Sequence, residues 1–538
     1  MGAEPAIVPM TVAIAALESA LAHHRAGRLP EAEASYRRVL ATQPANADAW
    51  HLLGVIAHQE GRHEVAVDLM ARAVALQSRS PVFLNNLGAA LTALGKAREA
   101  VPKLRRAAKL NPSYAEAHFN LGNALRECQR AKDAMESFRR AIAVKPDYAE
   151  AHYNLGLMLQ DDRKLDEAAA AYERAVASRP DYADALANLG KVRMDQRRFA
   201  DAVAAYDRAL TVKPDFDEVR SGRVWGMLAM GDLARGWPEF DSRWRRKDVG
   251  RPRPFPQPWW EGQDLAGKTI LVWGEQGIGD EITFASMIPD LTARGAHCVV
   301  ECEARLLPLF ARSFRDAEFF ARSADRPEAR LYAADIDWQI PAGSLMRWLR
   351  PNVDAFPKKP GFLTADPLRR EFWRDRLDAL GSGLTVGLSW KSGVMEGSRK
   401  AQFTPLPDWA PILKVPGVHF INLQYGDCRA DLDAARAACG VAISDFDGID
   451  LKQDLDEVAA LTSALDLVVT GPCAVVNIAG AVGTPSFHVW RHPEWELLGC
   501  DHRPFYPGEI IFTTSWDRPW ADLLGEVAGA LAEEVKSR

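Results

Sequence analysis

The triplet Asn-Leu-Gly recurs at 86–88, 120–122, 154–156 and 188–190, each time 34 residues after the last. A fixed period of that length marks stacked supersecondary units, each too small to bury its own apolar face. The rest of the unit keeps the same step. Alanine stands at 66, 100, 134, 168 and 202, and a large residue follows four positions on, at Met70, Leu104, Phe138, Tyr172 and Tyr206. Ala73, Ala107, Ala141, Ala175 and Ala209 come three positions later. Proline at 44, 112, 146, 180 and 214 ends each unit, with Ser78 in its place in the second; its fixed φ and missing N–H stop one helix and open the next. The pattern predicts helical hairpins in which small residues such as Gly88 and Ala100 admit a close approach and the large ones fill the groove to the next hairpin. Six full units cover about 13–216, and a degenerate seventh over 217–250 keeps Gly231, Phe240, Trp225, Trp237 and Trp244, expected to cap the array.

These residues resemble the tetratricopeptide repeat family, which implies an all-α superhelix over 13–250 with a concave face. Asn86, Asn120, Asn154 and Asn188 hold one equivalent position on the first helix of successive units and should form a ladder. A carboxamide both donates and accepts, so it can pair with a peptide unit whatever the side chain; the alternative is that these residues only cap or bridge neighbouring helices. The region resembles that of O-GlcNAc transferase, where the ladder holds substrate protein, which implies an acceptor protein on the concave face.

The length of 538 residues suggests about three to four domains. Hydrophobic residues make up 48% and charged residues 26%, a globular balance, and the net charge of -6 excludes a global basic field for nucleic acid or anionic membrane. Seven cysteines, odd in number and without a CxxC pair, argue against a disulfide framework or zinc ribbon and for a reducing, cytoplasmic setting. The apolar run Ala6–Ala22 lacks leading positive charge and contains Pro9 and Glu18, so it reads as a helix and not an export signal. No stretch reaches the ~18 apolar residues of a membrane span, and none is expected.

A linker over 251–267 opens with four prolines and three aromatic residues between Arg251 and Trp260, the composition of an extended connector. Short β-rich runs then alternate with helical segments: Thr269–Trp273, Cys298–Glu301, Thr385–Trp390, Val418–Leu423, Leu465–Thr470 and Ser486–Trp490. That alternation predicts parallel sheets covered by helices. Two Rossmann-like lobes, 268–380 and 381–538, are expected, joined by the amphipathic helix Pro367–Leu380. Ligands of such sheets bind at the carboxyl ends of the strands.

Three segments sit at such ends. Gly274-Glu-Gln-Gly-Ile-Gly-Asp-Glu281 follows the first strand and precedes a helix expected near Ile282; Gly277 and Gly279 permit a tight turn with exposed amides. Ile282 stands where a dinucleotide fingerprint needs its third glycine, and no Gly-Lys-Ser/Thr follows for a P-loop. Asp280 is either a site residue or a stabiliser of the helix N-terminus. Val386-Gly-Leu-Ser-Trp-Lys-Ser-Gly393, with Arg399 and Lys400 beyond, offers Lys391 to a leaving phosphate, or carries it as an ordinary surface lysine. The loop after the next strand offers Gln424. In the third segment, Leu465–Pro485, Pro472 opens a helix and Gly483 closes it, so that amides at Cys473, Ala474 and Val475, with Asn477 nearby, could hold an anion, unless the helix is plain core. Asp-x-Asp occurs five times and so cannot mark one metal site, and His488 and His492 lie on a strand and turn unsuited to a zinc pair.

Ile278-Gly279-Asp280 with Pro289 resembles the Ile-Gly-Asp segment of bacterial heptosyltransferases, a resemblance that implies Asp280 as general base on an acceptor hydroxyl. Ala479, Ala481, Gly483 and Pro485 match that family's Asp-Thr-Gly-x-x-His-Leu-Ala-Ala-Ala-Leu-Gly-x-Pro, while Pro472, Cys473, Ala474 and Asn477 replace its Asp, Thr, Gly and His. The order of the motifs behind the repeats, with Trp490, Pro493-Glu-Trp495, Pro504-Phe-Tyr-Pro507 and Ile511-Phe512, resembles bacterial fusions of tetratricopeptide repeats to a glycosyltransferase. The resemblance implies a GT-B-like pair of lobes and a metal-independent protein O-glycosyltransferase. A nucleotide-sugar would be its donor substrate, no cofactor would be needed, and flagellin with a CMP-activated nonulosonic acid is the more specific option. The alternatives are an inactive repeat-bearing scaffold, favoured by the changes at Pro472 and Asn477, and a glycan- or lipid-directed transferase.

Overall fold

The computed structural model describes residues 10–246, 251–275, 277–323, 328–393, 400–491, 495–515 and 518–538. Of the residues singled out above, Ala6, Pro9, Gln276, Arg399, His492, Pro493 and Glu494 lie outside this set. The chain forms two compact units, Met1–Arg197 with Asp207–Pro214, and Arg198–Tyr206 with Asp215–Arg538.

The first unit is a run of helical hairpins: α1 (Met10–Arg25), α2 (Leu29–Thr42), α3 (Ala47–Gln59), α4 (His63–Leu76), α5 (Pro81–Ala93), α6 (Ala97–Leu110), α7 (Ala115–Glu127), α8 (Ala131–Val144), α9 (Ala149–Asp161), α10 (Leu165–Ser178), α11 (Ala183–Asp195) and part of α12 (Phe199–Val212). The four hairpins from α3–α4 to α9–α10 each close on a glycine of the first helix. A Cβ at Gly54 would lie 2.7 Å from Met70, one at Gly88 2.4 Å from Leu104, one at Gly122 2.6 Å from Phe138 and one at Gly156 2.7 Å from Tyr172. The repeated glycine and the large residue sixteen positions later are therefore one steric lock. The turn inside each hairpin needs a left-handed residue: Gly27, Gly61 and Gly95 take φ of +72°, +76° and +76°, whereas Gln129, Arg163 and Arg197 adopt +59°, +59° and +58° with a side chain attached.

Beyond its share of α12, the second unit holds α13 (Asp217–Ala229), α14 (Leu233–Phe240) and a 3-10 turn, Asp241–Arg245. Two parallel sheets follow. The first holds β1 (Thr269–Trp273), β2 (His297–Cys302), β3 (Ala317–Ala321) and β4 (Trp338–Pro341) in the order β3-β2-β1-β4. The second holds β5 (Leu384–Ser389), β6 (Val418–Asn422), β7 (Leu467–Thr470), β8 (Ser486–Trp490) and β9 (Glu509–Thr513) in the order β6-β5-β7-β8-β9. The helices between and after the strands are α15 (Ile278–Ala285), α16 (Ile288–Ala293), α17 (Leu307–Ser313), α18 (Met346–Leu349), α19 (Pro367–Asp378), α20 (Ala410–Leu413), α21 (Arg429–Cys439), α22 (Leu455–Ala464), α23 (Ala474–Val482) and α24 (Trp520–Ser537).

One apolar core joins these parts: Trp237 and Phe240 of α14, Ile270 and Val272 of β1, Ile282 and Phe284 of α15, Ile478 of α23, and Phe505 and Tyr506 are all buried in it. Trp225, Trp237 and Phe240 pack on Trp495 at ring separations of 5.3, 6.1 and 6.2 Å. The Pro-Trp segment lies along the edge of β4, with Trp260 N–H donating to Gln339 O and Gln339 N–H to Pro258 O, each at 2.9 Å. Its Phe255 shares a core with Leu271, Trp273 and Val299, so on this face of the first sheet the segment takes the place of a helix. Among the described residues no helix is long and apolar enough to cross a membrane.

Candidate functional site

In each sheet the chain leaves a central strand in one direction and returns to its other side, at β1 between β2 and β4 and at β5 between β6 and β7. Such switch points leave a crevice at the strand ends. The loops after β1, β5, β6 and β7 carry the residues singled out from the sequence.

After β1 the helix begins at Ile278, four residues earlier than expected, which puts Gly279 and Asp280 inside the first turn of α15. The reason is local: an Asp280 carboxylate oxygen accepts the Gly277 N–H at 3.2 Å, satisfying an otherwise unpaired amide. Glu275, in the same loop, is buried against Arg243 from the 3-10 turn after α14; Nε and one terminal nitrogen donate to its two oxygens at 2.9 and 2.7 Å, and Gly343 N–H donates at 2.8 Å. Arg243 also donates to Phe240 O, Asp241 and Ser344, so its donors are committed. Glu281 is buried as well, with Arg322 2.8 Å from one oxygen and Glu303 N–H donating to the other at 2.7 Å. Burial outweighs that cation and pushes its carboxyl up to about 7.

After β5 the buried amide of Gln424 ties two loops together: its oxygen accepts Trp390 N–H at 3.0 Å and Lys391 N–H at 2.9 Å, and its nitrogen donates to Tyr425 O at 3.1 Å. The Lys391 ammonium donates to Asp431 at 2.6 Å and to Asp427 O at 3.2 Å. Gln424 therefore shapes the loop, and Lys391 reaches an anion only by sharing its charge with Asp431.

After β7, Cys473 caps α23 from an extended conformation, its sulfur 3.4 Å from the Ser389 hydroxyl and 3.3 Å from that of Thr470. Ala474 and Val475 begin the helix, and Gly483 ends it at φ +83°. Asn477 faces the first sheet's helix. Its oxygen accepts two Arg503 N–H groups at 3.2 and 3.1 Å, and its nitrogen would lie 2.5 Å from a Cβ at Gly279. The first turns of α15 and α23 thus abut, and Thr283 and Tyr506 bond across the same boundary at 2.8 Å. Arg503 is buried between Glu496 and Glu509, each at 2.7 Å, and His488 Nδ1 completes the chain on Glu509. Burial alone would raise the Glu509 carboxyl, but Arg503 and His488 hold it below its ordinary value. Sequence reasoning missed Arg243, Arg503 and Glu509, which no motif carries, and passed over Glu275 inside the glycine-rich segment, because the partners of all four lie in other segments. Among the described residues no group of His, Cys, Asp and Glu is arranged to hold a metal ion, and all seven cysteines are unpaired.

In the first unit the Asn residues are half-buried and each reaches back to the preceding hairpin. Asn86 pairs with His51 at 2.9 Å, Asn120 donates to Asn85 at 2.9 Å, and Asn188 donates to the Tyr153 hydroxyl at 3.2 Å, each partner lying 35 residues earlier. The position 35 residues before Asn154 is Phe119, which has no acceptor; Asn154 instead donates to Asn123 at 3.3 Å and accepts from Arg126 at 2.9 Å. Every Asn of the ladder thus bridges repeats with its N–H groups, while among the described residues no donor reaches the oxygens of Asn120 and Asn188.

A family model described as TPR repeat matches residues 88–127 and 122–162, and one described as Tetratricopeptide repeat matches 12–81 and 153–217. The helical half is built of tetratricopeptide repeats. The chain is 41% identical over 323 residues to Protein FlbA of Caulobacter vibrioides, an alignment covering 58% of this chain and 54% of that protein. The chain thus spans about half the length of the curated relative it matches. Among solved structures it is similar to Pseudomonas aeruginosa pilF, at 21% identity and a TM-score of 0.35, over 38% of this chain and 92% of that one. It is also similar to YrrB, described as a TPR protein with an unusual peptide-binding site, at 25% identity and a TM-score of 0.29, over 32% of this chain and 90% of that one.

Proposed function

We propose that this protein is a metal-independent glycosyltransferase of the two-lobed GT-B type, which moves a sugar from a nucleotide-activated donor to a Ser or Thr hydroxyl of a protein held by the repeats. The observation that carries the reading is the meeting of α15 and α23, first turn to first turn, at the carboxyl ends of two doubly wound parallel sheets. Helix N-termini present unpaired amides and a partial positive charge, so an anionic donor is favoured there.

In this reading the amides of Cys473, Ala474 and Val475 hold the donor phosphate and Lys391 neutralises the leaving group, giving up part of its contact with Asp431. Gly277 and Gly279 allow close approach. Asp280 takes the acceptor proton. Gln424 and Asn477 position the loops. The repeat concave face, through Asn86, Asn120, Asn154 and Asn188, presents the acceptor, and a cytoplasmic setting belongs to the same proposal. Flagellin as acceptor, with a CMP-activated nonulosonic acid as donor, is its more specific form. The rival is a silent scaffold, favoured by the engagement of Lys391 with Asp431 and of Asn477 with Arg503.

Thermal unfolding with UDP, ADP, GDP and CMP tests it, because a ligand of the native state raises the midpoint. One nucleotide should stabilise the protein, with the effect lost in Lys391→Ala and kept in Asp280→Ala; CMP would point to nonulosonic acid and UDP to hexosamine. No shift with any of them at millimolar concentration would favour the scaffold.

A further inference from the structure

On the face of the first unit formed by second helices, a groove of about 650 Å³ runs between α6 and α8 over α7. Arg105 and Lys109 line one wall, Glu136 and Arg140 the other, and His118 and Leu121 the floor. His118 is 7% exposed, and its Nε2 lies 3.0 Å from Pro112 O; a carbonyl only accepts, so Nε2 carries the proton. Nδ1 is then a bare acceptor, buried with no partner. An unmet buried acceptor is costly unless something donates to it.

The two walls differ in charge. On α8 the acids are matched, Glu136 by Arg140 and Asp133 by Arg130. On α6, Lys103, Arg105, Arg106 and Lys109 are exposed, and none forms an ion pair among the described residues. A chain of net charge -6 thus carries an uncompensated cationic helix beside an apolar floor with one acceptor. At the equivalent site two hairpins earlier, between α2 and α4, Trp50 stands in the place of His118 and the groove is smaller, about 390 Å³.

We propose that this groove docks an acidic amphipathic segment of a partner protein. Apolar side chains of that segment meet Leu121, its carboxylates meet Arg105 and Lys109, and one hydroxyl or amide N–H meets His118 Nδ1. A polypeptide fits better than a nucleic acid, because the ion-paired α8 wall and the overall negative charge oppose a polyanion.

The test is fluorescence anisotropy of the full chain against a fluorescein-labelled helical probe of about 14 residues, with leucine on one face and glutamate and one serine on the other. A Lys-for-Glu counterpart and a thymidine oligonucleotide run beside it. The Glu probe should bind, and Arg105→Glu/Lys109→Glu should weaken it by about tenfold. His118→Leu should weaken it by about threefold; Leu84 and Leu186 already occupy this position in other repeats, so the variant folds. Lys414→Glu should change nothing. The inference is overturned if the Glu probe does not bind, if the Lys probe or the oligonucleotide binds as tightly, or if the double variant, shown folded by circular dichroism, retains full affinity.

Discussion

Gly122→Ala should destabilise the first unit, and its size can be worked from the hairpin lock. The added methyl would sit 2.6, 2.7 and 2.9 Å from three ring carbons of Phe138, where carbon contacts prefer ~3.5 to 4.0 Å. The ring must withdraw by about 1 Å, yet Phe138 is 0% exposed and packed on Phe119 at 5.9 Å. Overpacking costs about 1–3 kcal/mol and occasionally more. Against this, alanine gains about 1 kcal/mol over glycine in a helix interior. The balance is a loss of up to roughly 2 kcal/mol. The same substitution at Gly525 in α24, where a Cβ meets nothing within 4 Å, keeps the helix term alone and should gain about 1 kcal/mol. Hydrogen exchange read by mass spectrometry gives the local opening free energy of α7–α8 and of α24 separately. Protection should fall at the first site and rise at the second. In a Phe138→Ala background the ring is gone, so Gly122→Ala should turn neutral or stabilising; a loss of the same size there would refute the steric account.

Glu281, held near 7 instead of its ordinary 4.5 by burial, binds a proton in the native state that the unfolded chain gives up earlier. Stability should therefore fall as pH rises from about 4.5 to 7, by up to about 3 kcal/mol, and Glu281→Gln should flatten that slope in urea denaturation; parallel pH profiles would sink the assignment. Gln129→Gly relieves a left-handed turn at a net gain of ~0.5–1 kcal/mol, read as increased exchange protection across α7–α8. Arg503→Met leaves Glu509 buried without its guanidinium and should cost about 3–5 kcal/mol in denaturation of the second unit, whereas an exposed ion pair such as Arg140–Glu136 should cost under about 1 kcal/mol when broken. Gly279→Ala should lower the melting point by pressing on Asn477, and Asn477→Ala should restore much of it.

What was legible follows the range of the interactions that decide it. The repeats were readable because Gly88 and Leu104, or Gly122 and Phe138, lie within one unit and every unit repeats them. Strands rich in β-branched or aromatic residues, such as Leu467–Thr470 and Ser486–Trp490, announced themselves. Ala317–Ala321, Trp338–Pro341 and Glu509–Thr513 did not, since each is five residues or fewer and carries Glu, Gln or Pro that only its neighbours make acceptable. The loops at the strand ends were found from their glycines, but the start of α15 was placed too late, because the cap that extends the helix is Asp280 itself. Arg243–Glu275 and Arg503–Glu509–His488 were invisible: an ion pair spanning 32 residues, or one that gathers two strands and a loop, leaves no periodicity.

The Arg243–Glu275 pair decides where the gene can be cut. A fragment beginning at the proline segment would strand the Glu275 carboxylate in a dry interior, leave Trp237's acceptor, Arg350 O, empty at a site where 2.9 Å now separates the two, and expose the apolar floor beneath α14. Such a piece should emerge from expression aggregated, for want of α13, α14 and the turn that follows them. A fragment that starts ahead of Asp217 keeps its cation, its indole and its lid together, and is the smallest form of the sheet-bearing unit that should stay in solution for crystallisation or ligand screening.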